Sequence, residues 1–365
     1  MTRRITDRKK GMITKEHFPN MSEYPPNIWQ PNAYPLSWHL GTRTFQDVWQ
    51  ASLNDYWRPE DLPWDTLDVE GYNWEERECI AYWWTRFSVF DVLSLPVFAQ
   101  ALIEAYETHE EDSVRKCLFS VLNDKQNHEA LCGLMIRKLL EHPDPLTYEP
   151  KTDLGLRLQK NARWLYFNGA RHWDGQRHAT PESNLVVLFS YFLMDGITAS
   201  TAFRQMYENS PEPVFKEAFK KIGRDENRLM AICLAIMERD GLDLSQERKA
   251  VAARRIRSGS LFLSAMLFEP SPECWDLPED FTANQYAGEK VARDASFGIL
   301  SYDVRLQNWK TAMIHLKGIL DRYEIPFPTI PEIGIAENDA AGTGMQYIVP
   351  TFSAGKPVPW ASRAH

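Results

Sequence analysis

The sequence predicts an all-α fold on three observations. Apolar residues recur at three- and four-residue spacing through several long segments, and Pro or Gly punctuates the breaks between them. The alternation of period two that marks half-buried strands is almost absent, and no solenoid-length repeat or low-complexity tract interrupts the pattern.

Residues 1–72 are rich in Pro, Trp and Tyr and weakly periodic, which reads as a segment wrapping a domain. The helical domain is expected over 73–324, with a Pro- and Gly-containing tail over 325–365. A first helix is predicted from Trp74 to about Tyr106, opening on Glu75-Glu76-Arg77 and kinked at Pro96. The second runs from about Asp112 to Glu141 and stops at His142-Pro143-Asp144-Pro145. A shorter amphipathic helix, about Leu154 to Asn168, precedes a polar loop over Gly169–Thr180 that reads as surface. The third long helix is expected to start at Pro181-Glu182, where Pro suits the first turn, and to reach Tyr207. The fourth spans about Glu212 to Arg239 and is closed by Asp240-Gly241. Two more are predicted at 245–268 and 285–323.

Polar residues break the apolar faces at matching places. On the second helix Lys125 and His128 continue the stripe Leu118, Val121, Cys132, Met135, Leu139. On the fourth, Glu226 and Leu229 continue Phe215, Phe219, Ile222, Cys233, Ile236. Asp225 and Asp124 lie about 100° away on their helices, which places them at the edge of the core. Asp91 and Asp195 stand in runs that are apolar all round, so both carboxylates are expected to be buried. Each then needs a metal, a cation or hydrogen-bond donors. Four helices that each direct a polar group inward form the layout by which a bundle builds a dinuclear site.

Composition narrows the function classes. With 44% hydrophobic and 25% charged residues the chain can bury a sizeable core, and a net charge of −9 argues against nucleic acid as a partner. The longest apolar stretches are interrupted by Arg86, Asp91 or Asp195, so none is expected to reach the roughly 18 residues of a bilayer span. The basic start lacks a secretory apolar stretch, and a cytoplasmic location is expected. The five cysteines form no CxxC pair and read as reduced core residues.

Several motifs together resemble the ferritin-like superfamily, and within it the ribonucleotide reductase small subunits and related ligand-binding oxidases. They are Trp57-x-Pro59-Glu60-Asp61, Glu76-Arg77 with Asp91 beyond it, Asp124-x-x-x-His128, Asp195-Gly196 and Arg224-Asp225-Glu226-x-Arg228. The resemblance implies a four-helix bundle core with additional helices, and metal ligands at Asp91, His128, Asp195 and Glu226. Iron or manganese, one or two ions, would then activate O2 on a small organic substrate, with Tyr191 one turn before Asp195 as a redox partner. The chain departs from that pattern: Lys125 stands where a Glu ligand belongs and Leu229 where a His belongs, and two family Glu positions are held by the shorter Asp. An oxygenase or oxidase with a rebuilt centre is therefore one expectation. A metal-free subunit partnering a catalytic paralogue is the second, and a metal-independent enzyme using Lys125 and its carboxylates is the third. The family resemblance and the Trp-rich first helix imply a homodimer.

Overall fold

A computed structural model describes residues 43–179, 185–267, 270 and 276–330, the side chains of 265 and 266 excepted. All regular structure among them is helical: α1 (Arg43–Asn54), α2 (Trp74–Asp91), α3 (Leu95–Glu107), α4 (Asp112–Leu140), α5 (Asp153–Ala179), α6 (Leu185–Asn209), α7 (Pro213–Asp240), α8 (Gln246–Leu267), α9 (Phe281–Asp294) and α10 (Tyr302–Asp321). The Pro-rich stretch before residue 43, the Pro181-Glu182 helix start, Cys274 and most of the tail lie outside the described residues.

Four helices surround the polar groups. Asp91 meets Lys125 while Arg77 meets Glu141, so α2 and α4 run antiparallel. Gly196 abuts Met230 while Phe203 abuts Gly223, which makes α6 and α7 antiparallel too. A Cβ on Gly196 would stand 2.9 Å from the Met230 Cβ and 3.2 Å from its Cα, so glycine permits the close approach of α6 and α7 beside Asp195. A capping box starts α2: the Asn73 side chain accepts from the Glu76 amide at 3.0 Å, and the Glu76 carboxylate accepts from the Asn73 amide at 2.8 Å.

Four sequence expectations change. The kinked first helix is two helices, because Pro96 has no N–H for the carbonyl of Val92; a 3-10 turn over Val92–Ser94 divides α2 from α3. Of the polar loop expected over Gly169–Thr180, residues 169–179 are instead the second half of α5, and Thr180 lies outside the described residues. Gly169, His172, Trp173 and Gln176 are buried at helical spacing, and the polar residues among them hid that stripe. The 285–323 helix is α9 and α10, separated where Gly298 takes φ +92° and leaves no room for a Cβ beside Ser210. Within the N-terminal wrapping segment, Arg43–Asn54 forms a helix that packs on α4 and α7.

Two stretches, Trp74–Glu107 and Leu185–Asn209, are long and apolar enough to cross a membrane by length and composition, contrary to the expectation that charges would shorten them. In the fold 83% of the apolar window in Leu185–Asn209 is buried, so its hydrophobicity is spent on the protein core. Cys79, Cys117, Cys132 and Cys233 are buried free thiols, and burial pushes Cys117 up to about 12.

Candidate functional site

The inward stripes of α4 and α7 bring Lys125, His128 and Glu226 together with Asp91 at the end of α2, all of them buried. The Lys125 ammonium donates to Asp91 Oδ1 and, at 2.7 Å, to Glu226 Oε1. Both ring nitrogens of His128 face carboxylates: Nδ1 lies 2.7 Å from Asp91 Oδ2 and Nε2 lies 3.1 Å from Asp225 Oδ2. A neutral ring would turn one lone pair toward a carboxylate oxygen, whereas an imidazolium donates on both sides. Burial opposes that charge, but Asp91 and Asp225 outweigh it and raise His128 to about 10.

Asp225 joins the cluster instead of standing at the edge of the core. Its side chain is buried, accepting from Trp57 Nε1 at 2.9 Å and from Arg228, which also donates to Asp124 Oδ1 at 3.1 Å. Asp124 is likewise buried. Sequence reasoning placed both acids by angle alone and named Arg228 only within a motif, although the i, i+3 pair Asp225–Arg228 was the signal that a cation accompanies them. Trp57 is anchored from the other side, where Asn127 Nδ2 donates to its carbonyl at 2.9 Å.

Charges nearly balance within this set. Lys125, His128 and Arg228 are cations facing Asp91, Glu226 and Asp225, with Asp124 and Asp195 left over. Burial would raise Asp91, yet Lys125 and His128 hold it well below the usual carboxylate range. Burial, then the Asp91 charge, keep Glu226 above its ordinary value against the pull of Lys125. Asp124 rises to about 7 through burial and the neighbouring Asp225 charge, with Arg228 opposing. Asp195 is pushed well above the ordinary carboxyl value by burial, with Glu226 and Asp91 adding and Lys125 opposing. Its Oδ1 has no hydrogen-bond partner among the described residues. It shares the neighbourhood of the cluster without bonding to it.

A carboxyl raised in the folded state contributes stability that is complete below its unfolded pKa, near 3.8 for Asp124, and is lost as pH climbs through about 7. Asp124→Asn should therefore be more stable than the parent by about 1–3 kcal/mol at pH 8. Below pH 4 the two should converge. Urea unfolding at both pH values checks this, and an Asn variant that is weaker at pH 8 would mean the Arg228 pair outweighs burial.

The implied metal centre can be tested against these contacts. Asp91, His128 and Glu226 each offer one ligand atom within 4.8 Å of one another. However, Lys125 bonds two of those three groups, both His128 nitrogens are committed, and Leu229 supplies no donor. A divalent ion about 4 Å from the ammonium would meet repulsion on the order of 8 kcal/mol at an effective dielectric of 20. The residues present do not fit a dinuclear centre, and the cation between Asp91 and Glu226 is Lys125.

Tyr191 is fully buried, but its hydroxyl pairs with His172 Nε2 at 2.9 Å and has no hydrogen bond to the cluster. His172, expected in a surface loop, is thus a core residue whose pKa falls to about 3 through burial and the nearby Arg255 charge. Beside Asp195 a cavity of about 100 Å³ opens between α2, α6, α8 and α10. Phe87 and Phe90 line it, together with Trp83 and Phe203.

Set against known proteins, the chain matches no family profile, no curated protein and no solved structure.

Proposed function

We propose that this chain is a ferritin-like bundle protein that works without a metal, as an enzyme for proton-transfer chemistry on a small, largely apolar substrate. The observation that carries the reading is the Lys125 ammonium donating to both Asp91 and Glu226, where the resemblance implies a metal ion. The cavity beside the cluster supports an enzyme over a scaffold, because an apolar pocket with one strongly shifted titratable group is the usual form of a small-molecule site.

In this reading Asp195 is the catalytic acid. Its carboxyl is biased toward the protonated form, because burial and the Glu226 and Asp91 charges disfavour the anion. Lys125 would stabilise the carboxylate once that proton has passed to a substrate acceptor, since its charge is the group pulling the Asp195 pKa down. A cytoplasmic homodimer, alone or with a partner subunit, accompanies this reading.

A second reading is an iron- or manganese-dependent oxidoreductase, favoured by the three ligand atoms of Asp91, His128 and Glu226 within 4.8 Å. Elemental analysis of protein expressed with iron and manganese supplied, and purified without chelator, separates the two. Metal well below one equivalent per chain is the expected result. One or two equivalents, lost on Glu226→Ala, would replace the first reading with the second.

A further inference from the structure

The cavity has a polar wall distinct from the Lys125 cluster. Arg86 and Arg305 line it, together with Asn308 and Thr198; apart from the Asp195 carboxyl near the Lys125 cluster, the rest is aromatic and aliphatic. Both arginines are buried and share a single carboxylate. Arg86 Nη1 donates to Glu289 Oε1 at 2.5 Å, Arg305 Nη1 donates to the same oxygen at 2.7 Å, and Arg305 Nη2 bonds Oε2. Among the described residues Glu289 is the only carboxylate within ion-pair reach of either guanidinium.

Among the described residues, two buried cations on one anion leave one positive charge uncompensated at the cavity wall. Arg305 Nε is buried with no hydrogen-bond partner among the described residues, so donor capacity remains as well as charge. Desolvating a charge without a partner costs several kcal/mol, which an entering anion would offset. Asn308 Nδ2 is committed to Gln205 at 2.7 Å and the Thr198 hydroxyl to the Met194 carbonyl at 2.8 Å, so the guanidiniums are the groups left to recognise a ligand.

We propose that this cavity binds a small apolar monocarboxylate, with its head group on Arg86 and Arg305 and its body among Trp83, Phe87, Phe90 and Phe203. A planar guanidinium matches the two oxygens of a carboxylate, and the aromatic walls offer little to a second charge. At about 100 Å³ the space is smaller than the roughly 150 Å³ that accepts a benzene ring, so short unbranched chains fit better than bulky ones. The inference names the substrate class of the proposed enzyme and rests on that reading only for the chemistry at Asp195. The binding itself does not depend on whether the cluster holds metal.

Calorimetric titration of the full-length chain with butanoate, hexanoate and benzoate, each against its matching alcohol, tests the assignment. Saturable 1:1 binding of at least one carboxylate, with its alcohol about tenfold weaker or more, is expected. Arg305→Gln leaves Arg86 and Glu289 as a balanced pair, so it should fold, and it should erase the preference for acid over alcohol. Glu289→Gln raises the uncompensated charge and should tighten carboxylate binding. Ala199→Leu fills the cavity and should weaken acid and alcohol alike. Equal affinity for acid and alcohol, or no saturable binding by folded parent protein, would overturn the proposal and leave the arginines as a structural triad. Elemental analysis of the same sample reports on the metal-free reading separately, so either idea can fail alone.

Discussion

Lys125→Met is expected to destabilise the folded chain by roughly 3–5 kcal/mol at pH 8, the range for removing one member of a buried ion pair. Methionine keeps the length and apolar stem of lysine but takes the cation away from Asp91 and Glu226, both already desolvated. Asp91 retains His128 at 2.7 Å, so Glu226 bears most of the loss. The variant can limit the damage by protonating Glu226, whose pKa already stands above the ordinary value. Binding that extra proton in the folded state makes the variant relatively more stable as pH falls, so the deficit should shrink at pH 5. Urea unfolding at the two pH values measures both effects. A deficit under about 1 kcal/mol that ignores pH would mean Lys125 is not the counter-ion of this cluster.

The double variant Lys125→Glu, Leu229→His is expected to convert a metal-poor protein into one holding one or two equivalents of iron or manganese. Leu229 follows Glu226 by three residues on α7 and is only 2% exposed, so a histidine there starts on the same buried face as the present donors. The Lys125→Glu half removes the repelling ammonium and adds a carboxylate among groups already within 4.8 Å. Without metal the variant should be weaker than the parent, because acids accumulate where a cation stood. With metal at about a thousand times its dissociation constant, the folded state gains about 4 kcal/mol. Thermal unfolding with and without supplied metal, beside elemental analysis, reads both arms. A double variant that folds yet takes up no metal would count against reading the α2, α4 and α7 positions as one metal site.

Two of the perturbed groups, His128 and Asp91, make opposite demands on pH. His128 is raised to about 10 from 6.5, so its contribution is complete below about pH 6.5 and is lost as pH rises through 10. Asp91 is depressed, so its contribution is present above its unfolded pKa and is lost only under strong acid. Between those limits the His128 and Asp91 charges persist in the folded state, while Asp124 titrates near 7.

Periodicity alone was sufficient for the helical class, for the extents of α4 and α7, and for the burial of Asp91, Lys125, His128, Asp195 and Glu226. A polar residue that continues an apolar stripe at three- or four-residue spacing has to face the same neighbours as that stripe. The same rule failed along the second half of α5, where Gly169, His172 and Gln176 diluted the apolar signal of a buried face. It failed again for Asp124 and Asp225, since an angle on one helix says nothing about a second helix covering the flank. Only the packing of Trp57 and the reach of Arg228 decided that these acids belong to the cluster.

Partner choice also belonged to the tertiary structure. The sequence held an inward lysine and several inward acids, but not which oxygen each proton meets; that follows from the approach of α2, α4 and α7. Arg86, Glu289 and Arg305 lie more than 200 residues apart at their extremes and carry no shared periodicity, so their meeting in one ion cluster was invisible in the chain. Local spacing determines which face a residue takes because it is set by backbone geometry alone. Which groups meet across helices depends on loop closure and packing between distant segments, and that information exists only in the folded molecule.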